Sequence, residues 1–233
     1  MKILALDTAT EALSVALLVD GAMTERFEVI HRGHAERLLP LADELLRAAG
    51  IELAGLDAIA FGRGPGAFTG VRIATSIAQG LSLGSNVPLI PVSDLEALGA
   101  GALAHADAEV ALACLDARMG EVYYGVVRRA PDGAPSLLAE GLAAPQDVPV
   151  PPGGRVVGAG HGFSAYPVLQ ERLGSALVAL LPDLLPRASD IARLAVREFS
   201  AGRLHQAGEV EPVYLRNDVA TRSRPARGAR PPS

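Results

Sequence analysis

The sequence contains no tryptophan and only one cysteine, and aromatic residues of all kinds make up 4% of its 233 positions. A single cysteine excludes an internal disulfide. Cys114 lies in the apolar run Val110–Leu115, where a thiol serves as a small hydrophobe. With so few rings, the core has to be built from Leu, Val, Ile and Ala. Long apolar runs are missing as well: no stretch approaches the ~18 uninterrupted apolar residues that a membrane helix needs. The opening MKILALDTAT is interrupted by Asp7 and two Thr before it reaches the length of a signal segment, so it reads as a first strand of a cytoplasmic protein. Nucleophile and metal signatures are also absent. There is no G-x-S-x-G and no assignable Ser/His/Asp set, and of the five histidines only His31 and His34 are near each other, flanking a helix start where capping or surface roles suffice.

What remains is an ordinary globular balance, 49% hydrophobic and 20% charged, in a chain suited to one compact body or two closely joined lobes. The charge is unevenly spread. Residues 216–230 carry five Arg against Asp218, so that the net −5 of the whole chain becomes −9 over the rest. A body this acidic argues against tight nucleic-acid binding through its own surface. The tail, rich in Pro, Gly and Ser as well as Arg, reads as a solubilising end, with an RNA-binding arm as the alternative.

The order of elements is legible in the periodicities. Three β-type runs, Ile3–Leu6, Leu13–Val19 and Thr24–Ile30, are joined by Asp7–Glu11 and by the hairpin signal Asp20-Gly21. A helix over 34–49 carries Leu38, Leu41, Leu45 and Leu46 at helical spacing and stops at Gly50; Pro40 predicts that it is entered or kinked near there. A strand over 57–62, a Gly/Pro loop, a helix from about Gly70 to Leu83 and a strand over 88–92 follow. Ser93 to Glu96 then has the spacing of a capping box opening a short helix. A first lobe over 1–105 is expected. A second, over 106–216, restarts the pattern with strands 108–115 and 121–128, then a strand over 155–157, the glycine-rich turn Gly158–Gly162, a helix to about Leu173, and a capped amphipathic helix, Ser189–Phe199, returning towards the first lobe.

Two loops could carry chemistry. The segment Gly62–Arg72 includes Gly64, Pro65, Gly66, Phe68, Thr69 and Gly70 between a strand and a helix, where free N–H groups suit an anion. It lacks the lysine of a P-loop, and a packing or interface loop fits as well. The second is Asp7-Thr8-Ala9-Thr10, where a carboxylate and hydroxyls follow the first strand. A phosphate-holding turn needs glycine at the position of Ala9, whose Cβ crowds such an approach, and Asp7 then serves to cap the turn.

Four segments in order, Asp7–Thr10, His34–Pro40, Gly64–Arg72 and Pro212–Arg216, resemble the TsaB/YeaZ family over nearly the whole chain. The resemblance implies an α/β, two-lobed actin-like (ASKHA, ribonuclease H-like duplicated) fold without transferase activity or a cofactor of its own. It also implies partnership with the catalytic relative TsaD, and with the ATPase TsaE, in placing threonylcarbamoyl on adenosine 37 of ANN-decoding tRNAs. tRNA is then met only through the complex. The relative's metal-binding His-Leu-Glu-Gly-His corresponds here to Asp94-Leu-Glu-Ala-Leu98, and Leu98 cannot bind a metal. The pairing surface implied is that of the two first-lobe helices, with His34, Glu36, Leu38, Leu41, Leu45, Gly70, Arg72, Ala74 and Ala78 as its candidates, and a homodimer through the same helices as the state without TsaD. The same residues could instead cover the sheet, leaving a rim of Glu36 and Arg72 for the partner. Two alternatives stand beside this reading. One is an ATP-dependent phosphotransferase using Asp7, Thr8 and the Gly158–Gly162 turn, with ATP or ADP in an interlobe cleft. The other is a metalloprotease.

Overall fold

The computed structural model describes residues 1–216, so the expected tail over 217–233 lies outside the described residues. β1 (Lys2–Asp7), β2 (Ala12–Val19) and β3 (Ala22–Val29) form an antiparallel meander. Asp20 and Gly21, at φ 49° and 91°, make the two-residue turn between β2 and β3. α1 (His34–Ala49) continues through Pro40 and stops at Gly50, whose left-handed φ of 65° lets its N–H reach the carbonyls of Leu46 and Arg47. β4 (Ala58–Gly62) leads to α2 (Phe68–Ser85), which begins two residues ahead of the Gly70 start read from the sequence. β5 (Leu89–Val92) then leads to α3 (Asp94–His105), twelve residues rather than a short helix. Ser93 Oγ accepts from the Glu96 amide at 3.4 Å, but the reciprocal half of the capping box is missing because the Glu96 carboxylate accepts from Leu137 N instead. β4 and β5 run parallel to β1, giving the order β3-β2-β1-β4-β5.

The second half repeats this plan. β6 (Val110–Arg118), β7 (Glu121–Arg129) and β8 (Pro135–Ala143) form the meander, and β9 (Val156–Ala159), α4 (Gly162–Ala165), α5 (Val168–Leu173), β10 (Leu177–Leu181) and α6 (Ala188–Ser200) follow. The order is β10-β9-β6-β7-β8. This duplicated plan is the two-lobed actin-like arrangement that the resemblance implied. β8 and β10 were not legible: both are sheet edges without fully buried residues, so neither shows a clean alternation. The helix expected to run to Leu173 is broken at Tyr166–Pro167, where Pro167 has no N–H to continue the first segment.

Each sheet is covered on one face by the helix that follows the other sheet. α3 lies on β6–β9, while α6 crosses back onto β1, β2, β4 and β5. Ile191, Ala192 and Ala195 of α6 meet Ile3, Ala5, Ala60 and Ile90, and Leu95, Leu98 and Ala102 of α3 meet Ala111, Ala113, Val127 and Val157. The expected cap of α6 by Ser189 is replaced from outside. Ser14 Oγ accepts from Ala188 N at 2.9 Å and Glu25 Oε1 from Ser189 N at 3.1 Å, so β2 and β3 hold the helix start. α1 and α2 cover the other face of the first sheet, burying Leu38, Leu41, Leu45 and Ala78 against Leu4, Leu13, Val15 and Phe61. Each fully buried Leu or Ile here contributes roughly 1.5–3 kcal/mol. Cys114 is a core residue, its thiol pushed up by burial.

Candidate functional site

The two loops singled out as phosphate candidates are packed against each other. Thr8 Oγ1 donates to the carbonyl of Gly70 at 2.7 Å, and the Ala67 amide donates to the carbonyl of Ala9 at 2.7 Å. A β-carbon on Gly66 would overlap the Ala9 carbonyl, and one on Gly70 would overlap the Thr8 carbonyl. The glycines thus permit backbone to lie on backbone, and the two loops spend the Thr8 hydroxyl, the Ala9 carbonyl and the Ala67 amide on each other. Gly64 and Pro65 are buried beneath this contact, joined by a cis peptide bond. The Gly158–Gly162 turn is built likewise: β-carbons on Gly160 or Gly162 would overlap the backbone carbonyl group of Cys114.

Asp7 ends β1 and is fully buried, and so is Asp94, which opens α3. Asp7 Oδ1 accepts from Ala9 N at 2.7 Å, confirming the turn-capping role, and Asp94 Oδ2 accepts from Gly64 N at 2.5 Å. The remaining oxygens, Asp7 Oδ2 and Asp94 Oδ1, have no donor. Burial pushes Asp7 up to about 6, and burial together with the Asp7 charge holds Asp94 well above the usual carboxylate range. Leu98, at the place of the relative's second metal-binding histidine, is a core residue.

Between the lobes lies an open cleft of about 1220 Å³, bordered by Thr8–Glu11, the starts of α1 and α2, Asp116–Arg118 and His161. Its mouth is strapped by the last described segment. Val213 N donates to the Arg63 carbonyl at 2.7 Å, Arg72 Nε to Tyr214 Oη at 2.6 Å, and Arg216 pairs with Glu121 at 2.6 Å while also donating to the Ala117 carbonyl. Arg72 stacks over the Phe68 ring at 3.6 Å. Arg216, grouped with the tail on sequence, is therefore anchored to the β6–β7 hairpin.

The helix residues divide sharply. Leu38, Leu41, Leu45, Gly70, Ala74 and Ala78 are all buried within this chain, with Leu38, Leu41, Leu45 and Ala78 in the cluster over the first sheet and Gly70 against the Thr8 carbonyl. Glu36, Phe68, Thr69 and Arg72 face out, and His34 is part-exposed. Sequence reasoning missed Leu39 and Leu83, 44% and 78% exposed, which belong to the outward stripe of the same helices. Gly80 lies on that stripe with nothing within 4 Å of where its β-carbon would be. The signal was available: Arg72, Ser76, Gly80 and Leu83 follow helical spacing opposite to Val71, Ala74, Ala78 and Ser82. Asp94 as partner of Asp7 was also missed, although each follows the end of a parallel strand.

Residues 26–156 match the family model described as TsaD, tRNA N6-adenosine threonylcarbamoyltransferase. The chain is 42% identical to the tRNA threonylcarbamoyladenosine biosynthesis protein TsaB of Escherichia coli, over 97% of this chain and 100% of that one. The protein of the same description from Haemophilus influenzae is 39% identical, over 97% and 98% respectively. Among solved structures, YeaZ from Pseudomonas aeruginosa superposes with a TM-score of 0.85 at 45% identity, covering 92% of this chain and 99% of that one.

Proposed function

This chain belongs to the TsaB/YeaZ family, and from that membership we propose that it is a non-catalytic accessory subunit in forming threonylcarbamoyladenosine in tRNA, working as the pairing partner of TsaD. The observation that carries the pairing is the outward face of α1 and α2, where Leu39 of α1 and Leu83 of α2 stand exposed and the space over Gly80 is open. A mid-helix glycine costs about 1 kcal/mol against alanine and packs against nothing within the chain, which fits a surface that a second backbone approaches closely. Phe68, Arg72 and Glu36 extend the same face to the mouth of the cleft.

The non-catalytic assignment draws on the site geometry. Asp7 is sealed and caps a turn, Thr8 is spent on Gly70, and the backbone of Ala9 is covered by the glycine loop. An ATP-dependent phosphotransferase needs that cradle open. The metalloprotease alternative needs ligands where Leu98 packs the core. TsaE as a further partner, a homodimer through the α1–α2 face in the absence of TsaD, and contact with tRNA only within the complex complete the reading. Among the described residues no helix is long and apolar enough to cross a membrane.

The test is reconstitution. TsaD, TsaE and a threonylcarbamoyl donor are incubated with an unmodified ANN-decoding tRNA, with and without this chain, and the modified nucleoside is quantified. Modification that requires this chain, together with none by this chain alone, is the expected result; undiminished modification in its absence overturns the reading.

A further inference from the structure

Asp7 and Asp94 come from opposite ends of the first lobe's sequence and meet beneath Gly62, where a β-carbon would lie 2.8 Å from Asp7 Oδ1 and overlap Asp94 Oδ1. Both side chains are 0% exposed. Each spends one oxygen on a loop amide, Asp7 on Ala9 and Asp94 on Gly64, and each is left with one oxygen that has no donor. Two carboxylates with bare lone pairs in a dry site repel each other and carry a large desolvation cost. One proton on the pair neutralises one of the two charges, relieves the repulsion and lets one carboxyl donate to the other.

We propose that Asp7 and Asp94 share a single proton and act as a latch that ties the Asp7–Thr10 turn to the Gly62–Ala67 loop, thereby fixing the first turn of α2. The chain of contacts is continuous. Asp94 holds Gly64 N, the Ala67 amide binds the Ala9 carbonyl, and Ala9 N is held by Asp7. The proton closes this circuit at its buried end. Phe68 and Arg72, which follow directly, are carried by the loop so fixed. Asp7 and Asp94 are thus positioning residues for the start of the proposed partner face; only that consequence rests on the accessory-subunit reading, and the latch stands without it.

The electrostatic surroundings support the assignment of the proton. Burial raises both carboxyls, and for Asp94 the Asp7 charge adds to it, so the pair retains a proton at neutral pH. Arg63 is the cation that faces Asp94 from the β4–α2 loop, and its guanidinium is engaged by Glu140 of β8 at 2.6 Å. Because both folded carboxyls sit above their unfolded value of 3.8, the folded state holds protons that the unfolded state releases as pH rises from there. The pair's contribution to stability is therefore greatest in acid, where both carboxyls are protonated, and declines with rising pH, through about 6 for Asp7, above which the single shared proton remains, and beyond it for Asp94.

The experiment uses the full chain and three variants, Asp94→Asn, Asp94→Ala and Asp7→Asn. The infrared spectrum at neutral pH is expected to contain a protonated carboxylic-acid band that disappears from Asp94→Asn. An asparagine at 94 can accept from Gly64 N and donate to Asp7, so this variant should keep the fold while losing part of the decline of stability with pH. Asp94→Ala leaves Gly64 N unpartnered, and its amide exchange should accelerate by about tenfold or more. Should either alanine or Asp7→Asn fail to fold, the wild-type and Asp94→Asn spectra still decide. An unchanged acid band between those two overturns the proposal, and so does a loss of wild-type stability on chelation, which would put a cation rather than a proton between the carboxylates.

Discussion

Thr8 and Gly70 hold each other in both directions: the Thr8 hydroxyl donates to the Gly70 carbonyl at 2.7 Å, and the Thr8 carbonyl fills the space that a side chain on residue 70 would need. The contact joins the turn after β1 to the first turn of α2. It converts a loop that looks like a ligand cradle into an internal joint, and it makes the glycine content of residues 62–70 a packing requirement.

Gly66→Ala and Gly70→Ala should each lower stability by about 1–3 kcal/mol, since the obstacle is backbone that cannot swing away. Gly80→Ala, where the space is open, should raise stability by about 1 kcal/mol through helix propensity. Urea unfolding of the three variants checks both signs; a neutral Gly70→Ala would contradict the joint.

Glu25 governs the acid side. Burial pushes its carboxyl up, but Arg187, Ser189 N and Ser14 outweigh this and hold it below 4.5. A depressed folded value means that the stabilisation is present above 4.5 and is lost as pH falls through the folded value. Glu25→Gln should cost about 1–3 kcal/mol at neutral pH and show a smaller loss below pH 4.5, measured as unfolding midpoints across pH.

Arg216→Ala removes the ion pair to Glu121 and the hydrogen bond to the Ala117 carbonyl. We expect about 1–3 kcal/mol of destabilisation. Faster amide exchange at Val213, whose bond to the Arg63 carbonyl belongs to the same strap, should accompany it. Exchange at Val213 unchanged from wild type would show that the strap does not depend on this anchor.

The parts of this fold that were legible in sequence are those where one residue type answers one local demand. Asp20-Gly21 gave a hairpin, Gly50 a helix stop, and Leu38, Leu41 and Leu45 a buried stripe. β8 and β10 escaped because half-covered edge strands carry no clean alternation, and the α6 cap escaped because Ser14 and Glu25 lie more than 160 residues from the amides they hold. The site was legible only as a set of loops. That Asp94 is paired with Asp7, or that Ala74 and Ala78 are buried while Gly80 and Leu83 face outward, depends on how two strands and a helix are phased in space.

The burial of Ala74 also decides which substitution is informative. Ala74 is 0% exposed, so a glutamate there would be forced into the core and would report unfolding. Outward positions separate folding from partnership.

The most direct measurement of the central claim is light scattering after size exclusion of this chain mixed with TsaD of the same organism, repeated with Gly80→Glu and Leu83→Asp variants of confirmed wild-type melting. The account expects a heterodimer with the unaltered chain and its loss in both variants; a heterodimer undisturbed by either substitution, or no association at all, would contradict it.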